Sequence, residues 1–222
     1  MFITLEGIEG AGKSTQVPHI VAFLEARGHR CEVTREPGGT SLGRRIRTLL
    51  LDPANHDMVP TAELFLYAAD RAQHVGACII PALNAGKTVV CDRFFDATEA
   101  YQGHARGLDM DLIQQLNPAS GPAKIRPDLT FLFDLSPETG LARAWERIKQ
   151  NGKERADCRF ENEAIVFHER VRQGYLTIAR REPDRFVLVD AAKPAEAVRT
   201  QIEAGLDGFL TKRNDDTSGM YL

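Results

Sequence analysis

Residues 2–15 read Phe2-Ile3-Thr4-Leu5-Glu6-Gly7-Ile8-Glu9-Gly10-Ala11-Gly12-Lys13-Ser14-Thr15. A short apolar run leads into the pattern G-x-x-x-x-G-K-[ST], and a helical stretch follows. That strand-loop-helix context is what a phosphate-binding loop requires. Its glycines let backbone N–H groups turn inward around phosphate oxygens. The helix that follows adds its N-terminal donors and the positive end of its dipole. Lys13 carries a point charge to the β and γ phosphates, and the Ser14 hydroxyl can bind magnesium. Gly7, Ile8, Glu9, Gly10, Ala11, Gly12, Lys13 and Ser14, continuing into Thr15, are therefore the candidate site for a nucleoside triphosphate such as ATP, with Mg2+. Glu9 is unusual, because a carboxylate inside such a loop repels a phosphate. It is either solvated or aimed at a second ligand, and a hydroxyl-bearing acceptor is the favoured partner.

Outward from the loop, strand and helix patterns alternate. Phe2–Glu6, His29–Thr34, Thr88–Cys91, Leu129–Leu135 and Phe186–Val189 are short and mostly apolar, as in a parallel sheet covered on both faces. Helices are predicted over Lys13–Arg27, Leu42–Leu51, Thr61–Ala85, Pro137–Lys149, Glu161–Arg181 and Pro194–Leu210. Thr61 is the expected N-cap of the third, with Glu63 in its first turn. The alternation predicts an α/β fold with a doubly wound, five-stranded parallel sheet and helices on both faces. Pro18 falls in the second turn of the first helix, where a local distortion is expected. One domain spans 1–211, and the polar stretch 212–222 reads as a disordered tail.

Composition narrows the class. The chain has 222 residues, 43% apolar and 27% charged, with a formal net charge of -3. It is long enough to bury a core without staples, and the charge argues against a nucleic-acid partner. Cys31, Cys78, Cys91 and Cys158 form no CxxC pair, so they read as reduced thiols rather than a zinc ribbon. The first residues have no signal-peptide pattern, and no apolar run approaches the roughly 20 residues that span a bilayer. A cytoplasmic protein with no membrane contact is expected.

Four segments complete the expected site. Thr34-Arg35-Glu36-Pro37-Gly38-Gly39-Thr40 follows the second strand, where strand ends of a doubly wound sheet form the ligand crevice. A plain turn with a surface ion pair is the alternative there. Tyr67 and Arg71 share a helix face, suited to stacking on a base while the guanidinium takes a phosphate; taken alone, Tyr67 also reads as a core aromatic. Asp92-Arg93-Phe94 follows the third strand, with Asp92 placed to hold magnesium through water. Thr98 and Gln102 share a face if helical and could read a base edge. The basic segment from Arg143 to Arg159 includes Arg147, Lys149, Lys153 and Arg155 around Gly152. It reads as a lid at about 147–160 whose arginines neutralise a transferring phosphoryl group, or as a solvated helix face.

Together, EGIEGAGKST, TREPGGT, ADRAQ and DRFFDATEAYQG, in that order over nearly the whole chain, resemble the thymidylate kinase family. The resemblance implies a P-loop NTPase fold of the nucleoside monophosphate kinase kind, and transfer of the γ-phosphoryl group of ATP to dTMP. It implies that Lys13, the loop amides, Thr15 and Arg143 serve ATP, with Ser14 and Asp92 at Mg2+. Arg93 matches the arginine on the dTMP phosphate, and Glu9 the acid near the sugar hydroxyl. Tyr67 and Arg71 match the pair around thymine, Thr98 and Gln102 the base and sugar side, and Arg35, Glu36 and Arg47 the acceptor pocket. The loop has no arginine at its variable positions, which resembles the bacterial subtype whose lid supplies the catalytic arginine; Arg155 and Arg159 are the candidates, with Arg147 and Lys153 behind them. The usual stacking Phe is Tyr67 here, and Phe94 stands where Tyr or His is common. The family is typically a homodimer. The competing readings are a kinase for another small acceptor, such as a deoxynucleoside, and a nucleotide-driven switch without an acceptor.

Overall fold

The computed structural model describes residues 1–119, 125–150 and 158–218. Five parallel strands form one sheet: β1 (Phe2–Glu6), β2 (Cys31–Arg35), β3 (Thr88–Asp92), β4 (Leu129–Asp134) and β5 (Phe186–Asp190), in the order β2-β3-β1-β4-β5. Their burial follows from that order. β1, β3 and β4 are central, covered on both faces, and buried along nearly their whole length. The edge strands β2 and β5 alternate between covered and exposed positions. The main core lies on either side of β1 and β4 and includes Ile3, Leu5, Phe131 and Phe133.

The helices are α1 (Lys13–Glu25), α2 (Ser41–Leu51), α3 (Pro60–His74), α4 (Ile80–Asn84), α5 (Phe95–Thr98), α6 (Met110–Ala119), α7 (Pro137–Gln150), α8 (Ile165–Arg181) and α9 (Ala195–Ser218). Thr40 caps α2, its Oγ1 accepting from the Gly43 N–H at 2.9 Å. α7 carries Glu138 in its first turn and Arg147 and Lys149 in its last, matching the helix dipole at both ends.

Several local expectations are corrected. Thr61 is not an N-cap: Pro60 opens α3 after Val59, because proline lacks only an N–H that the first turn leaves unpaired anyway. The helix expected to run unbroken to Ala85 widens into a π turn at Val75–Ile79. Pro81 supplies the reason, since its ring and missing donor disfavour a regular α turn just before it. α1, in contrast, passes through Pro18 without interruption; one lost donor near its N-terminal end is absorbed. The stretch Glu161–Ala164 is a turn before α8 rather than its first residues. α9 continues to Ser218, so residues 212–218 extend a helix instead of leaving it, and 219–222 lie outside the described residues. α5, the π turn Glu99–Ala105 and α6 were not expected from periodicity.

Candidate active site

The carboxyl ends of β1, β2 and β3 come together at one edge of the sheet. Cα pairing sets Leu5 beside Asp92 and Asp92 beside Arg35. The chain leaves β1 toward one side of the sheet and later returns to build the other. The loop after β1 therefore sits where the winding reverses, the place where open α/β sheets bind ligands. A cavity of about 400 Å³ opens there, within the range of small-molecule sites.

The phosphate loop is shaped by close backbone approach. Gly10 adopts a φ of 70°, and a Cβ on it would lie 1.9 Å from the Gly140 carbonyl oxygen on α7. Only glycine fits both the conformation and the space. Lys13 folds back over the loop and donates Nζ to the Gly7 and Ile8 carbonyls at 2.8 and 2.9 Å. Burial, with Arg93 beside it, pushes its ammonium down to about 8 against the pull of Asp92 and Glu9. Ser14 Oγ donates to Asp92 Oδ2 at 2.8 Å. Burial works to raise the Asp92 carboxyl, but Lys13, Arg93 and that hydroxyl outweigh it and hold the group below its ordinary value. A hydroxyl and one ionised carboxylate side by side are hard oxygen donors. They fit Mg2+, which keeps most of its shell for water and phosphate oxygens rather than a protein cage.

Arg93 is the centre of the arrangement. It is a non-glycine residue with a φ of 71°, a conformation that costs energy and is held by its surroundings. Its Nη2 donates to Glu9 Oε1 at 2.9 Å, and its Nη1 to the Tyr175 hydroxyl at 3.0 Å. Tyr175 in turn donates to Glu6 Oε2 at 2.8 Å, and the Phe94 N–H donates to Glu6 Oε1 at 2.7 Å. Burial, reinforced by Asp96, pushes the Glu6 carboxyl up to about 8. Glu9 goes the other way. Burial would raise it, but Arg93, then His168 and Tyr101, hold it well below the carboxylate range. Tyr101 donates to Glu9 Oε1 at 2.5 Å, while His168 Nδ1 stands 3.4 Å from Oε2 without hydrogen-bond alignment. Glu9 is thus not freely solvated: it anchors Arg93 from the cavity wall.

On the facing wall, Arg71 is buried and engaged at all three nitrogens. Nε donates to Glu36 Oε1 at 2.7 Å, Nη1 to Asn117 Oδ1 at 2.7 Å and Nη2 to Thr98 Oγ1 at 2.5 Å. A guanidinium tied this way is held in place on the wall of the cavity it lines. His74 stays with Glu36 and Thr34, at 3.3 and 2.7 Å. Glu36 and Arg71 therefore build the wall, and the plain-turn alternative for Arg35-Glu36 does not describe the buried Glu36. Arg35, Arg47, Tyr67, Thr98 and Gln102 line the cavity as well.

The basic segment divides. Arg147 lines the cavity. Arg143 lies outside it and donates to the Ala191 carbonyl at 2.9 Å. Arg159 also lies outside: it is buried, donates Nε to the Leu50 carbonyl and pairs with Glu63. That placement departs from the catalytic expectation for Arg159, because a guanidinium committed to a buried carboxylate is not presented to the cavity. Lys153 and Arg155 lie outside the described residues. Sequence reading missed Tyr101, Tyr175, Glu6 and Glu63. Glu6 left a signal, a carboxylate closing an apolar strand; Tyr101 stood inside a quoted motif; Tyr175 left none.

A family model described as Thymidylate kinase matches residues 5–202. The thymidylate kinase of Desulfosudis oleivorans is 67% identical over 207 residues, covering 93% of this chain and 96% of that protein. That of Geobacter sulfurreducens is 52% identical over 201 residues, covering 90% and 93%. Among solved structures, the thymidylate kinase from Ehrlichia chaffeensis superposes with a TM-score of 0.71 at 33% identity, covering 93% of this chain and 98% of its own.

Proposed function

We propose roles for the site's residues from one premise: this chain belongs to the thymidylate kinase family. It phosphorylates dTMP to dTDP with ATP. Its fold is the P-loop, nucleoside monophosphate kinase kind. Lys13, the loop amides and Thr15 bind the ATP phosphates, and Arg143 supports the nucleotide side. Ser14 and Asp92 would hold Mg2+, which would supply positive charge to offset that of the phosphates. Arg93 takes the dTMP phosphate. Glu9 positions Arg93 and stands near the acceptor sugar. Tyr67 stacks on thymine beside Arg71, Thr98 and Gln102, and Arg35, Glu36 and Arg47 complete the pocket.

The observation that carries this reading is Arg93 itself. A left-handed backbone, clamped between Glu9 and Tyr175, aims one cation into a cavity shared by the phosphate loop and the acceptor wall. Little covalent work is needed. The dTMP phosphate is already an anion, so no side-chain base is required, and alignment with charge neutralisation carries the rate. Arg155 supplies the charge on the transferring group, with Arg147 as the second candidate. Free thiols at Cys31, Cys78, Cys91 and Cys158 fit a reducing, cytoplasmic setting. Among the described residues no helix is long and apolar enough to cross a membrane. We also propose a homodimer, because α2 and α3 expose Leu42, Leu49 and Phe65.

A nucleotide panel tests the acceptor. ADP release should be fastest with dTMP; faster turnover with dCMP, dGMP or thymidine would sink the assignment, and ADP release independent of any acceptor would favour the switch reading.

A further inference from the structure

One side chain of the cavity wall has its orientation decided from outside the cavity. Gln102 lines the cavity and donates Nε2 to Glu63 Oε1 at 2.7 Å. Glu63 is completely buried in the first turn of α3 and is not part of the lining. Two guanidinium groups converge on it. Arg159 Nη2 pairs with Oε2, and Arg106 approaches with Nη2 at 3.3 Å from Oε2 and Nε at 3.4 Å from Oε1. Those two cations pair with the Glu63 carboxylate and compensate its buried charge. A carboxylate only accepts hydrogen bonds. The Gln102 amide has a donating end and an accepting end, and only the donating end can face Glu63. Reversing it would set carbonyl oxygen against carboxylate oxygen, replacing a hydrogen bond with repulsion. Among the described residues nothing donates to Gln102 Oε1.

We infer that Glu63 is a specificity-determining positioning residue: by capturing Gln102 Nε2 it turns Gln102 Oε1 toward the acceptor base, so that pyrimidines carrying N3–H are accepted and those with a bare N3 are refused. The inference rests on Gln102 reading the base edge, as proposed above. Thymine and uracil present N3–H, a donor for that oxygen. Cytosine presents an N3 lone pair, which would face another acceptor with no water between them. Sites built around such a hydrogen bond discriminate strongly, because the mismatched polar groups are left unpaired. Glu63 touches no substrate; it acts through Gln102.

The test is steady-state kinetics with dTMP, dUMP and dCMP on the full-length wild type, Glu63→Gln and Gln102→Met. Glutamine at 63 can offer Gln102 either a donor or an acceptor, so the amide is released. The ratio of kcat/KM for dTMP over dCMP should fall at least about tenfold, or ~1.4 kcal/mol, mainly through KM. The dTMP-to-dUMP ratio should not change, because both bases carry N3–H; a general loss of structure would not separate the two ratios in this way. Gln102→Met should also lower the dTMP-over-dCMP preference. If Gln102→Met lowers it and Glu63→Gln leaves it intact, the role of Glu63 is overturned. If neither lowers it, Gln102 does not read the base. Should Glu63→Gln fail to fold, Glu63→Asp keeps the charge that both arginines need and withdraws the oxygen from Gln102; the same loss is expected, and an unchanged preference overturns the inference.

Discussion

Arg93 concentrates the chemistry of the site in one side chain, and its replacement is the sharpest probe of it. Arg93→Ala should reduce kcat/KM for dTMP by at least about 100-fold, the equivalent of roughly 3 kcal/mol of charge-assisted contact. Near-normal turnover would remove Arg93 from the phosphate role. Lys13, Ser14, Asp92 and Arg93 were legible in the sequence because each sits in a short motif at a strand end, where spacing along the chain is also spacing in space. Their supports were not. Tyr175 reaches Arg93 from α8, far along the chain, with its hydroxyl set by tertiary packing alone. Glu63 read as an ordinary acidic residue in a first helical turn, and its burial under Arg106 and Arg159 depends on where three separate elements meet.

At the scale of elements, α7 and the turn before α8 bracket the segment read as a lid. Gly140 presses α7 against the phosphate loop, while Arg159 fastens the other side to the end of α2 and the start of α3. Fastening and catalysis predict different outcomes. Breaking a buried ion pair costs about 3–5 kcal/mol, but Glu63 keeps Arg106 and Gln102, so Arg159→Ala should cost ~2 kcal/mol and lower Tm by about 4–8 °C. Arg155→Ala should instead leave Tm near the wild-type value and lower kcat strongly while ATP still binds. Thermal melts and single-site kinetics separate the two; an Arg159→Ala enzyme with unchanged Tm and lost kcat would restore Arg159 as the catalytic candidate. All five strands were visible in the sequence as apolar runs, four after a glycine or proline break and β1 before the glycine loop. The region from Phe95 to Ala119 was not, because its helices are short, partly π-type and buried on several sides, which blurs the 3.6-residue period.

Across the whole molecule, burial of acids at the sheet end ties stability to pH. The folded-state Glu6 carboxyl lies at about 8 against an ordinary 4.5, so between those values the folded state holds a proton that the unfolded chain releases. Stability from this group is full below pH 4.5 and is lost as pH rises through 8. Asp70, raised to about 6, acts in the same direction at lower pH. The difference in unfolding free energy between wild type and Glu6→Gln isolates Glu6, and urea titrations should show it fall by about 2.5 kcal/mol from pH 5.5 to 7.5. A flat difference would show that Glu6 titrates as in the unfolded chain. Quaternary structure has its own test: Phe65→Glu should shift the sedimentation coefficient from dimer to monomer, and a wild type that already sediments as a monomer would end the dimer proposal. The strand order carries a further consequence for synthesis. β1 lies between β3 and β4, pairing Phe2 with Val89 and Ile3 with Leu129. Of these five strands β1 is made before its two neighbours and waits for both of them to be translated. Nascent chains that end before β4 has emerged keep one backbone edge of that strand bare and open to chaperones, and the nucleotide cleft is assembled late in the life of the polypeptide.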